Sequence, residues 1–215
     1  MSSPGKIGTD EAGKGDYFGP LVVAAFWIEE DLSGELEKMG VKDSKRLSDS
    51  RVEALSRELA KIGQSSVVAI GPERYNQLFS QMKNLNRILA WGHARAIENI
   101  LEQVSTSEVI SDKFGDEGFI KRALLEKGRK VNLIQKVRAE EEPVVAAASI
   151  LARAEFLKRL QKLSRQIGIE LAKGASEKVD LVARKVVQLK GKEYLSQVAK
   201  LHFKNTQRVI CTESS

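Results

Sequence analysis

The chain has 215 residues, 35 Lys or Arg against 29 Asp or Glu for a formal charge of +6, and 42% hydrophobic residues, a balance that suits one ordinary globular domain. With 30% charged residues and apolar residues recurring throughout, a disordered chain is excluded, and no run approaches eighteen apolar residues, so a membrane span is excluded as well. One cysteine, Cys211, and two distant histidines, His93 and His202, exclude an internal disulfide and leave too few soft ligands for structural zinc; a reducing, cytoplasmic setting is expected, and any metal must be held by oxygen.

The charge is unevenly placed, with 21 basic and 23 acidic residues up to residue 150, then 14 and 6 beyond it. A basic surface joined to an acid-bearing body is the footprint of a protein that meets polyanions. A solvated Lys-rich helical face would give the same count.

Along the chain, residues 6–10 and 20–28 read as strands, the second a continuous apolar run suited to burial on both faces. A glycine-rich turn, Gly13 to Gly19, separates them. Ser50-Arg-Val-Glu53 has capping-box spacing, and Val52, Leu55, Leu59 and Ile62 follow at helical intervals. A short strand over 66–70 comes next, Pro72 sits where a helix can begin, and Leu85, Ile88, Leu89, Ile97, Ile100, Leu101 and Val104 mark a long amphipathic helix over 85–104. Trp91 on that helix and Trp27 on its strand read as core residues. Two further strands fall at 108–112 and 131–137. Pro143 opens an Ala-rich helix to about residue 167, and Ser176 caps another with Val179, Val182, Val186 and Val187 inward. A meander followed by strands alternating with helices implies an α/β domain spanning 1–215, its mixed sheet flanked by helices, with a helical, basic C-terminal part over about 168–215.

Three strands run into carboxylates: Asp10-Glu11, Asp112, and Glu140 a few residues past Val137. If those strands are parallel neighbours their C-terminal ends lie side by side, where α/β sheets place their sites. Adjacent residues on a regular strand face opposite ways, so Asp10 and Glu11 share a site only if the chain leaves the strand there. Clustered carboxylates repel unless a cation lies between them, and hard oxygen-bound Mg²⁺ or Mn²⁺ is the natural compensation. Two such ions, about 4 Å apart, can clamp the attacking and leaving oxygens of a phosphodiester. The bland reading of any one acid is a solvated loop residue or helix cap, and Glu141 and Glu142, just before the Pro143 helix, suit its dipole. The run Gly8 to Gly15 also approaches the phosphate-loop pattern, but Gly15 replaces the required hydroxyl, two acids occupy the loop, and a strand follows where a helix is needed.

The run Gly8-Thr-Asp-Glu-Ala-Gly-Lys-Gly-Asp-Tyr-Phe-Gly-Pro-Leu21 resembles the signature of the type 2 ribonucleases H, specifically ribonuclease HIII. The likeness continues in order at Asp43-Ser-Lys-Arg-Leu47, Asn84-Leu-Asn86 with Trp91-Gly-His93, Ser111-Asp-Lys-Phe114, Ala146-Ala-Ala-Ser-Ile-Leu-Ala-Arg153, Lys173-Gly-Ala-Ser176 and Lys200-Leu-His-Phe-Lys-Asn-Thr206, spanning residues 6–206. It implies a ribonuclease H-like fold and an endonuclease that hydrolyses the RNA strand of RNA/DNA hybrids with two divalent ions, Mg²⁺ or Mn²⁺, leaving 5′-phosphate and 3′-hydroxyl ends. The family's acidic quartet falls on Asp10, Glu11, Asp112 and Glu140, with Asp10 bridging both ions, Glu11 and Asp112 on one and Glu140 on the other. Gly13-Lys14-Gly15 matches the element that approaches the scissile backbone, where N–H groups can read the ribose 2′-OH. Lys14, where ribonuclease HII usually has Arg, favours HIII over incision at single ribonucleotides, the alternative activity. A non-catalytic hybrid-binding protein is a further alternative that the four acids oppose.

Two departures accompany the likeness. The family usually carries an N-terminal substrate-binding domain, whereas about six residues precede the first strand here, so weaker hybrid affinity is expected; and Ala172 stands where Pro is usual. Ser44, Lys45 and Arg46 are placed to contact phosphates. Asn84 and Asn86 can bond the DNA strand or their own helix terminus. Lys173, Lys200, Lys204 and Arg208 are expected to add salt-dependent affinity. His202 is expected to pack, Lys113 to offset local negative charge, and the protein to work as a monomer.

Overall fold

A computed structural model describes residues 5–41, 47–113 and 118–211. Five strands, β1 (Gly5–Ala12), β2 (Leu21–Glu29), β3 (Gln64–Ile70), β4 (Glu108–Asp112) and β5 (Asn132–Lys136), form one sheet in the order β3-β2-β1-β4-β5. β1 pairs antiparallel with β2 and parallel with β4, which pairs parallel with β5. The mixed sheet with an antiparallel side is therefore as the sequence implies, and the three acid-bearing segments do follow parallel neighbours. The helices are α1 (Ser33–Lys38), α2 (Asp49–Ile62), α3 (Pro72–Met82), α4 (Leu85–Leu101), α5 (Gly118–Ala123), α6 (Pro143–Ile167), α7 (Glu177–Lys190), α8 (Leu195–Val198) and α9 (Lys204–Ile210).

The chain forms two compact units, residues 1–12, 22–68 and 84–155 in the first and 13–21, 69–83 and 156–215 in the second. In the first, β2 is buried from Leu21 to Ile28, as its unbroken apolar run requires. β1 alternates: Gly8 lies against α6, where an added Cβ would meet the Val144 carbonyl carbon at 2.3 Å, and Thr9 bonds to His93 of α4. Glycine at position 8 thus lets the strand backbone touch the first turn of α6 at Val144 and Val145. On α4, Ile88, Leu89, Ile97, Ile100 and Leu101 are buried as their spacing predicts. Trp91 is not: it is 44% exposed, because the ridge it shares with Arg87 and Arg95 at four-residue intervals faces solvent. Trp27 is buried.

Three boundaries differ from expectation. α2 is capped by Ser48, whose Oγ accepts from the Arg51 N–H at 3.3 Å, so Ser50 lies inside the helix and the capping box does not form. α4 stops at Leu101, and Val104 follows it in a turn. Val182 is half-buried, with Ala183 completing the inward face of α7.

In the second unit, Asn76 of α3 donates to the carbonyls of Ser196 and Ala199 and accepts from the Leu201 N–H. Buried Asp180 of α7 accepts from Asn205 at 2.6 Å and from Arg208 Nε at 2.6 Å. Burial opposes the Asp180 charge, yet Arg208 and Asn205 hold its carboxyl below the usual range. His202 packs, its ring stacked on Phe79 at 4.3 Å between centroids.

Candidate active site

Parallel pairing of β1 with β4 runs from Lys6 opposite Glu108 to Thr9 opposite Ser111. The next residues, Asp10 and Asp112, follow at the C-terminal edge of adjacent strands. Asp10 is held by Ser149 of α6 and by the Glu11 N–H, which donates to its Oδ1 at 2.8 Å. Burial, then the charge of Glu11, and to a smaller extent that of Asp112, push its carboxyl up to about 7 against these hydrogen bonds. Asp112 accepts from the Ala139 N–H at 3.2 Å. That bond docks the turn Ala139–Glu141 on the end of β4; Arg138, in the left-handed region at φ 57°, folds the chain back, and half-buried Glu140 is the next residue after Ala139. Glu142 is tied instead to Lys136 at 2.5 Å.

One expectation is corrected. β1 does not end at Asp10; it stays paired with β2 through Ala12 opposite Val22, so the two side chains leave the backbone on opposite faces, yet the charge of Glu11 still raises the Asp10 carboxyl, and the strand's edge keeps the two acids within electrostatic reach. Asp10 meets α6, whereas Glu11 meets His93 of α4, whose Nε2 lies 3.2 Å from Glu11 Oε2. The imidazole is fully buried, and its Nδ1 lies 2.8 Å from Thr9 Oγ1. Sequence reasoning assigned His93 no role; the available signal was a polar residue among the mostly apolar buried positions of α4, where Glu98 is the other.

Among the described residues no three His, Cys, Asp or Glu side chains are drawn together as a ready-made metal cage. The donor chemistry nonetheless fits hard cations: the donors are carboxylate oxygens, and burial together with the charges of Glu11 and Asp112 pushes Asp10 up to about 7. Asp10, Asp112, Glu11 and Glu140 would be the residues to hold such ions.

The glycine turn belongs to the second unit. Gly13, at φ 84°, has room only for hydrogen, since a Cβ would lie 2.2 Å from the Pro20 carbonyl oxygen. Gly15 is different: no heavy atom lies within 4 Å of its Cβ position, and its φ does not demand glycine. Asp16 Oδ1 accepts from the Gly174 N–H at 2.6 Å, and the Tyr17 N–H donates to the Gly174 carbonyl at 2.9 Å, which brings exposed Lys173 beside this segment. Lys200 is buried rather than part of the basic surface; its ammonium donates to the carbonyls of Phe18, Gly19 and Pro20, closest at 2.7 Å to Gly19. Burial pushes it down to about 7, with Asp16 opposing.

The family model described as ribonuclease HII matches residues 7–206. Ribonuclease HIII of Protochlamydia amoebophila is 42% identical over 204 residues, 95% of this chain and 68% of that protein, and ribonuclease HIII of Chlamydia pneumoniae is 40% identical over 207 residues, 95% and 70%. A crystal structure of Bst ribonuclease HIII with Mn²⁺ superposes with a TM-score of 0.90 at 31% identity, covering 100% of this chain and 71% of that one. The chain belongs to the ribonuclease HIII family.

As a ribonuclease HIII it is a metal-dependent endonuclease that degrades the RNA strand of RNA/DNA hybrids. No helix among the described residues is long and apolar enough to cross a membrane. Of the substrate contacts expected for a ribonuclease HIII, Ser44, Lys45 and Arg46 lie outside the described residues; Arg153 of α6 ties down the segment that follows them, bonding the Leu47 carbonyl at 2.9 Å and Asp49 at 2.8 Å. Asn84 caps α4, its Oδ1 accepting from the Asn86 N–H at 2.9 Å. Arg208 is occupied by Asp180, and Lys204 is exposed.

Proposed function

We propose that Asp10, Glu11, Asp112 and Glu140 are the carboxylates through which this ribonuclease HIII holds two divalent cations, Mg²⁺ or Mn²⁺, for cleavage to 5′-phosphate and 3′-hydroxyl ends. The observation that carries the reading is the consecutive placement of Asp10 and Asp112 on parallel strands, with Asp10 pushed up to about 7. Bound cations supply Lewis acidity at the scissile phosphate and stabilise charge on the departing 3′ oxygen. The chain's own groups prepare for this. Ser149 and the Glu11 N–H fix the Asp10 carboxyl, which would hold a cation in its deprotonated form. The Ala139 N–H fixes Asp112 and presents the Glu140 turn. Gly13, Lys14, Gly15 and Lys173 are the proposed backbone and phosphate contacts, and the open space at Gly15 supports close approach of a ribose.

Lys14 supports preference for continuous hybrids over a lone ribonucleotide. Asn84, already engaged as a helix cap, would reach the DNA strand only through its remaining valences, and Asn86 is half-buried beside it. A cytoplasmic monomer is the proposed setting, consistent with a single free, exposed cysteine. The test is cleavage of an RNA/DNA hybrid, a DNA duplex with one ribonucleotide, and single-stranded RNA, each with Mg²⁺, Mn²⁺ and EDTA. Metal-dependent cutting of the hybrid alone is expected. Incision at the lone ribonucleotide would move the specificity to the HII type, and binding without cutting would leave a hybrid-binding module.

A further inference from the structure

We propose that His93 is a positioning residue: its Nε2–H holds the Glu11 carboxylate in the orientation from which it serves a cation. The inference rests on the reading of Glu11 as a cation ligand. An ionised carboxylate can only accept, so the 3.2 Å contact to Glu11 Oε2 places the ring proton on Nε2. In the neutral imidazole Nδ1 is then an acceptor, and the Thr9 hydroxyl, 2.8 Å away, donates to it. The three groups form a directed chain, Thr9 O–H to Nδ1 and Nε2–H to Glu11, in which the hydroxyl selects the tautomer that the carboxylate needs.

Two features separate this arrangement from a histidine that merely fills the core. Both partners are side chains of one strand, two residues apart, and they are brought to the imidazole from 84 and 82 positions away in the chain. The ring is also fully buried with both nitrogens engaged, so it acts through Glu11 and does not take a cation itself. Glu11 leaves the backbone on the face of β1 that carries Thr9, and there the imidazole of α4 limits its rotamers by bonding Oε2.

The experiment measures Mn²⁺ binding by electron paramagnetic resonance on the full chain without substrate, beside hybrid cleavage and melting temperature. His93→Phe keeps a ring but no donor, His93→Gln keeps a donor, and Thr9→Val removes the hydroxyl at nearly constant shape. Expected are a 10- to 100-fold loss of Mn²⁺ affinity in His93→Phe, in line with losses of hydrogen bonds to metal ligands elsewhere, substantial recovery in His93→Gln, and a smaller loss in Thr9→Val. In the metal-free protein the imidazole ¹⁵N shifts should report the Nε2-protonated tautomer. Mn²⁺ affinity unchanged in His93→Phe, or lowered equally in His93→Phe and His93→Gln, would overturn the proposal; if His93→Phe does not fold, unchanged affinity and tautomer in Thr9→Val would do so. Glu11→Gln separates this from the underlying reading: wild-type Mn²⁺ affinity in that variant would show that Glu11 is not a ligand, whatever His93 does.

Discussion

Between pH 3.8 and about 7 the Asp10 carboxyl is ionised in the unfolded chain and still protonated in the folded one. The folded state binds the extra proton, so this group makes stability fall as pH rises through that window, and the loss is complete above about pH 7. Asp10→Asn should flatten the slope and raise the melting temperature at pH 7 to 8 while abolishing cleavage; melts across pH without added metal check it. The glycine turn offers a sharper contrast. Gly15→Ala should leave the melting temperature unchanged but weaken cleavage, because nothing in the fold explains that glycine, whereas Gly13→Ala should cost stability first, its Cβ having no space and its φ being left-handed. For the fourth carboxylate the paired variants are Glu140→Gln and Glu141→Gln, the latter the exposed next residue of the same turn. Loss of cleavage of at least 100-fold in Glu140→Gln with activity kept in Glu141→Gln is expected; the reverse pattern would transfer the role.

β1 and α6 meet backbone to backbone at Gly8, and that contact sets the height of Ser149 over Asp10. Gly8→Ala should therefore lose about 1–3 kcal/mol in denaturant melts through overpacking, and cleavage should fall with it as the helix is pushed off the strand. How much of such an arrangement could be read beforehand depends on the range of the signal. Pro143 marks its helix because its fixed φ is local, Ser176 stands at the N-cap of α7 although its side chain makes no capping bond, and β2 is plain because its apolar run is unbroken. Ser48 and Ser50 offer two nearby caps, and only the chain's path decides between them. The short helices α1, α5, α8 and α9 are too brief for a period to emerge. That Asp10 and Asp112 follow parallel neighbours is legible because their short strands are bounded by turn residues, while the partners of His93 and Lys200 are not: they lie about 80 and 180 residues away, and a buried polar residue names no partner in sequence.

The basic excess of the C-terminal part is smaller as a surface than as a count. Lys200 is buried among carbonyls and Arg208 is neutralised by Asp180, whereas Lys173 and Lys204 are exposed. Hybrid affinity measured against salt should show this. Lys173→Ala is expected to reduce the log–log slope by about 0.7–0.9, one phosphate contact's worth. Lys200→Met should leave the slope unchanged and instead cost about 1–3 kcal/mol of stability, because three carbonyls lose their donor.

The two tryptophans complete the picture in optical terms. Trp27 is buried on β2 beside Gly5 at 8% exposure and Trp91 stands on the α4 ridge at 44%. Intrinsic emission should therefore resolve into a blue, quencher-resistant component and a red, acrylamide-accessible one, and Trp91→Phe should remove the second alone. The chain thus carries its own pair of fluorophores, one reporting the integrity of the core and the other whatever settles on the outer side of α4.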